Sequence, residues 1–110
     1  MKGFEAPDEP TRQEIDALPG PAVLEFGAGW CGYCRALAPV LRAALDSHPE
    51  VRHIKIEDGP GRPLGRSFRV RLWPTLIFVR DGAIVHQVAR PDAEDVAAGF
   101  EALAEAARRA

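Results

Sequence analysis

The chain has 110 residues, 46% of them hydrophobic and 27% charged, and its formal net charge is −2. That length supports one core and one domain, spanning 1–110, with no room for a second. The charge balance argues against a nucleic-acid binder, which would be strongly basic, and no apolar run approaches the ~20 residues of a membrane span.

The opening segment MKGFEAPDEP lacks the apolar stretch of a signal peptide, so the expected compartment is the reducing cytoplasm. A short strand is expected over residues 2 to 6. Thr11-Arg-Gln-Glu14 has the form of a capping box and predicts a helix from Arg12 to Leu18. Leu18-Pro-Gly-Pro21 is a turn, and Ala22 to Phe26 is a buried-strand candidate interrupted by Glu25. After GAGWCGYC comes a long helix, with Leu37, Val40, Leu41, Ala44 and Leu45 on one face. Pro39 should kink it and Pro49 marks its end. Val51 to Glu57 reads as a strand, followed by the loop DGPGRP and a short helix over Leu64 to Arg69. Thr75 to Val79, Asp81-Gly82 and Ala83 to Val88 spell a hairpin. Pro91-Asp92 opens a last helix whose face carries Val96, Phe100, Leu103 and Ala107. Alternating βαβ units followed by a hairpin and a helix predict an α/β fold, a mixed sheet with helices on both faces.

The stretch GAGWCGYC, residues 27 to 34, admits two motifs. Gly27, Gly29 and Gly32 match a dinucleotide-binding fingerprint, with Glu57 or Asp58 placed to hold a ribose. Against it stand the short chain, the antiparallel second half, and Trp30 where the backbone should be bare for a pyrophosphate. A zinc site is short of ligands: only two cysteines exist, and His48, His53 and His86 show no ligand spacing and read as surface or strand-face residues. Cys31 and Cys34 as mere core filler would leave Trp30 and the glycines unexplained. A redox pair fits the geometry best. Cys31 falls at a helix N-terminus, where free N–H groups and the macrodipole favour a thiolate, and is expected to be exposed and acidic. Cys34 lies on the apolar stripe with Leu41 and Leu45 and should be shielded. Residues three apart on a helix have Cα atoms ~5–6 Å apart, within disulfide range.

Three segments in order resemble the thioredoxin family. Val23-Leu-Glu-Phe26 with Trp30-Cys-Gly-Tyr-Cys34 is similar to the family's strand and active site. Pro39 matches its helix proline, and Trp73-Pro74-Thr75 before Asp81-Gly82 resembles its cis-proline loop and hairpin. The resemblance implies a thioredoxin fold and a protein-disulfide reductase, with Cys31 as nucleophile, Cys34 as resolving thiol, and a redox disulfide between them. It implies a cis bond before Pro74 and a substrate-gripping surface of Trp30, Gly32, Tyr33, Trp73 and Pro74. Glu25 takes the place of the family's buried Asp, which relays the resolving cysteine's proton, and Lys55 aligns with a family lysine able to pair with it. Tyr33 stands where the family usually has proline, as in the tyrosine-containing motif of glutaredoxins, and adds a backbone N–H aimed at Cys31. The implied partners are disulfide-containing proteins and an external electron donor, a reductase or glutathione, because no nicotinamide or flavin site is credible. No cofactor, metal, nucleic acid or membrane is expected, and the chain is expected to be a monomer. Glutaredoxin-like or isomerase-like exchange, and a non-catalytic binding module of the same fold, are the alternatives. Arg62, Arg66, Arg69 and Arg71 form a basic cluster, read either as a solvated surface or as a lure for acidic partners or glutathione carboxylates.

Overall fold

The computed structural model describes residues 9–29 and 31–109. The strand expected over residues 2 to 6 lies outside the described residues, as does Trp30.

The first helix, α1 (Arg12–Asp16), opens on the expected capping box. Glu14 N–H donates to Thr11 Oγ1 over 3.0 Å, and Thr11 N–H donates to Glu14 Oε1 over 2.8 Å. The helix ends at Asp16 rather than Leu18, because Leu18 precedes Pro19 and the proline ring disfavours helical backbone there. Strand β1 (Pro21–Gly27) leads into α2 (Gly32–Asp46), which holds Pro39 within it. Strand β2 (Arg52–Glu57) follows, then α3 (Pro63–Ser67). Helix α3 starts earlier than expected because Pro63 is pre-set for a first helical turn. It stops short of Arg69, which adopts φ 60°, with Val70 N–H closing back on the Gly65 carbonyl at 2.9 Å.

Strands β3 (Thr75–Arg80) and β4 (Ala83–Ala89) form the hairpin. Both turn residues have positive φ, 51° at Asp81 and 81° at Gly82, the backbone of a tight two-residue connection. A Cβ at Gly82 would also strike the Asp16 carbonyl. Helix α4 (Ala93–Arg109) is opened by a reciprocal pair: Asp95 N–H donates to Asp92 Oδ1 and Asp92 N–H to Asp95 Oδ2.

The sheet order is β2-β1-β3-β4, with β1 parallel to β2 and antiparallel to β3. Strand alternation sends successive residues of β1 to opposite faces. Ala22, Leu24 and Phe26 join Ile15 of α1 and Leu64 of α3 in one core layer. Val23 joins Leu37 and Leu41 of α2 and Val96, Phe100 and Leu103 of α4 in the other. Full burial of side chains such as Phe26, Leu24 and Phe78 stabilises by ~1.5–3 kcal/mol each. The same alternation assigns Glu25 to the α2 face, so a central strand carries a carboxylate beneath the helix that begins at the cysteines. Among the described residues no helix is long and apolar enough to cross a membrane.

Candidate active site

Cys31 is the N-cap of α2, in extended backbone, and its Sγ accepts the Cys34 N–H at 3.2 Å. The donor at the sulfur is therefore the amide of Cys34; the sequence pointed instead to Tyr33 N–H. Cys31 N–H in turn reaches back to the Ala28 carbonyl at 3.1 Å. Both cysteines are in the free thiol form. The expected contrast in exposure is absent: each is 6% exposed. By capping its own helix, the Cys31 side chain folds into a small cluster of Ala28, Cys31 and Cys34, against which Trp73 packs. Gly32 and Tyr33 carry the exposure instead, Tyr33 at 60%.

The Cys34 thiol is pushed up to about 12. Burial is the main cause; the hydrogen bond to Cys31 and the negative charges of Cys31 and Glu25 add to it, and only a backbone contact at Ala28 opposes. Cys34 therefore holds its proton at neutral pH and needs a base before it can act as a nucleophile. A cleft of about 330 Å³ runs under α2 and is lined by Cys34, Glu25, Arg42, His53 and Lys55 among others. Glu25 is buried, 4% exposed. Its Oε1 lies 2.7 Å from Nε2 of His53, whose side chain is 14% exposed. Lys55 lies directly across the β1–β2 ladder from Glu25. The carboxylate thus pairs with His53, which the sequence suggested was only a surface or strand-face residue. The parallel register places Val23 beside His53 and Glu25 beside Lys55, so both β2 residues share Glu25's face. That register was the one signal that would have found His53, and it depends on strand pairing.

The opposite wall of the cysteine cluster is the loop before β3. The Trp73–Pro74 bond is cis and Pro74 is buried. Trp73 Nε1 donates to Asp58 Oδ2 at 2.9 Å, and Thr75 Oγ1 donates to the Leu72 carbonyl at 2.6 Å. Asp58 and Glu57, the acidic residues a ribose would have needed, are engaged by Trp73 and by Arg62 at 3.0 Å respectively. Arg90, which the sequence did not single out, ties the two halves of the surface together. Its N–H donates to the Pro74 carbonyl at 2.7 Å and its Nε to the Trp73 carbonyl at 3.0 Å. Its guanidinium lies 4.2 Å above the Tyr33 ring. The basic cluster of Arg62, Arg66, Arg69 and Arg71 lines a separate hollow of about 380 Å³ beside Asp58.

What two thiols can do in this arrangement is exchange with a disulfide. One caps the helix and the other, holding its proton, lies three residues further along it. On a sheet of this topology they define the class of dithiol oxidoreductases.

The comparisons narrow the class. The family model described as Thioredoxin matches residues 6–102, and the chain belongs to the thioredoxin family. It is similar to thioredoxin 2 from Pseudomonas aeruginosa PAO1, solved in its reduced form: 49% identity, a TM-score of 0.80, and coverage of 96% of this chain and 98% of that one. A Thioredoxin H-type of Picea mariana is 33% identical over 84 residues, 76% of this chain and 67% of that protein. Protein disulfide-isomerase A2 of Pongo abelii is 45% identical over 71 residues, which is 60% of this chain and 14% of that longer protein. The protein is a thiol–disulfide oxidoreductase, a protein-disulfide reductase carrying a Cys31–Cys34 pair. Membership implies disulfide-containing proteins as substrates and a reductase as electron donor.

Proposed function

We propose that the Cys31–Gly–Tyr–Cys34 segment reduces protein disulfides by the following sequence. The Cys31 thiolate attacks one sulfur of a substrate disulfide; a Cys31–substrate disulfide forms and the first substrate thiolate leaves. Cys34 gives its proton to Glu25, and its sulfur attacks Cys31 Sγ. The second substrate thiolate leaves, and the electron pair has passed from the dithiol to the substrate. An external reductase or glutathione then returns the Cys31–Cys34 disulfide to the dithiol. Trp30, Gly32, Tyr33, Trp73 and Pro74 form the surface that holds the substrate chain, and Lys55 supports Glu25 from the neighbouring strand. The chain acts as one domain over 1–110, as a monomer in the cytoplasm, without cofactor or metal.

The observation that carries this reading is the placement of a thiol held up to about 12 in the same cleft as a buried carboxylate. A resolving thiol must stay protonated until a mixed disulfide exists, then lose its proton locally. Insulin reduction with dithiothreitol tests the assignment. Cys31→Ser should abolish turnover, and Cys34→Ser should accumulate mixed disulfides detectable by mass. Trapping by Cys31→Ser instead would reverse the two roles. A wild-type protein without turnover would make the chain a binding module.

A further inference from the structure

The Glu25 carboxylate does not face the thiol alone. His53 Nε2 approaches its Oε1 to 2.7 Å, with side-chain exposures of 14% and 5%. His53 stands on β2, the outermost strand of the sheet among the described residues, and borders two hollows. One is the cleft of Cys34 and Glu25, the other a hollow of about 460 Å³ lined by Pro10, Glu14, Leu18 and Arg52 among others. The imidazole thus connects the buried carboxylate to the surface on either side of β2. Glu25 borders the first of these hollows but not the second.

We propose that His53 positions Glu25 and carries away the proton that Glu25 receives from Cys34. The inference rests on the reading of Glu25 as the base for Cys34. When the imidazole is protonated, the pair sets an imidazolium against a carboxylate, with net charge zero. When Cys34 S–H passes its proton to Glu25, the carboxylate becomes neutral and would leave an unpaired imidazolium in a largely buried position. Such a charge is costly there. His53 therefore releases a proton to solvent, and the pair is again neutral. One proton enters the pair from Cys34 and one leaves to water, so the buried charge does not change across the step. The titratable and charged groups that line the two hollows with His53 are Glu25 from β1, Cys34, Arg35, Arg42 and Asp46 from α2, Arg52 and Lys55 from β2, and Glu14 from α1. Among all of these, histidine is the side-chain type that ordinarily changes charge between pH 5 and 8.

The test measures the resolution step separately from the first attack. Pre-reduced protein is mixed in a stopped-flow with a fluorescent protein disulfide from pH 5 to 9, and Cys31 alkylation is timed in parallel. His53→Gln keeps an amide that can donate to Glu25 but does not titrate. It should fold normally by thermal unfolding, leave Cys31 alkylation unchanged, slow resolution about tenfold (short of the ~10²-fold of a complete general base), and erase the inflection of its pH profile between 5 and 8. An unchanged profile in His53→Gln overturns the proposal. Glu25→Gln separates the two readings. If it resolves at the wild-type rate, the base assignment itself falls. If it is slow while His53→Gln is normal, only the His53 role falls.

Discussion

Arg90 sits at φ 48°, a left-handed conformation unusual for a residue with a Cβ. Its side chain holds the Trp73 carbonyl at 3.0 Å and stacks 4.2 Å above Tyr33. Replacing it by alanine removes a hydrogen bond worth ~1 kcal/mol and an exposed cation–π contact worth ~0.5–1 kcal/mol, while the strained backbone stays. Arg90→Ala should therefore destabilise by ~1.5–2 kcal/mol. Arg90→Gly loses the same contacts but releases ~1–2 kcal/mol of left-handed strain, against ~0.5–1 kcal/mol of added chain entropy. The glycine variant should come out about 0.5–1 kcal/mol more stable than the alanine variant. At roughly 4 °C per kcal/mol for a domain of this size, thermal unfolding by circular dichroism resolves that gap. In insulin reduction both variants should raise KM more than they lower kcat, because the side chain orients Tyr33 and Trp73 and does not touch the dithiol chemistry. An Arg90→Gly protein no more stable than Arg90→Ala would refute the strain argument. Wild-type stability in both would refute the clamp.

Three further outcomes are expected. The Cys34 thiol titrates at about 12 in the fold against 9.0 ordinarily, so between those values the folded state holds a proton the unfolded chain has lost. The resulting stabilisation is complete below pH 9 and disappears as pH rises toward 12; denaturant midpoints of reduced wild type should fall more steeply over that range than those of Cys34→Ser. Glu25→Leu should lower thermal stability by ~1–3 kcal/mol, because it leaves His53 without its carboxylate, and Glu25→Leu/His53→Leu should recover it to wild type or above, since replacing both partners of a buried pair by apolar side chains is often neutral or stabilising. Glu25→Leu should also resolve mixed disulfides slowly below its unfolding transition, and a normal specific rate would contradict this. Finally, Gly99 on α4 faces the Phe78 ring so closely that a Cβ would overlap it, and Phe78 is fully buried. Gly99→Ala should cost ~1–3 kcal/mol by overpacking, read from urea unfolding, with activity retained below the transition.

Much of the molecule was legible in the order of residues because the signals are local. The capping box at Thr11, the Asp81-Gly82 turn and the apolar stripe of α2 each act within a few positions, where backbone sterics and hydrogen bonding set the outcome. The cysteine spacing likewise placed both thiols on one helix turn. The short apolar run from Ala22 to Phe26 sufficed to mark Glu25 as a charge in a buried strand. The boundaries that moved, at Asp16 and Ser67, were decided by a following proline and by one left-handed residue at Arg69, effects of the next few residues that a hydrophobic pattern does not register. Three things were decided only when distant segments met. The exposure of Cys31 depended on Trp73 packing against its cluster from more than forty positions away. Arg90 reached Tyr33 and Trp73 only because the β4–α4 connection passes the end of β3. And the partner of Glu25 was set by the parallel register of β1 on β2, which carries no signature in either strand: His53 joins the carboxylate because two separately written strands align, and tertiary packing alone fixes that alignment.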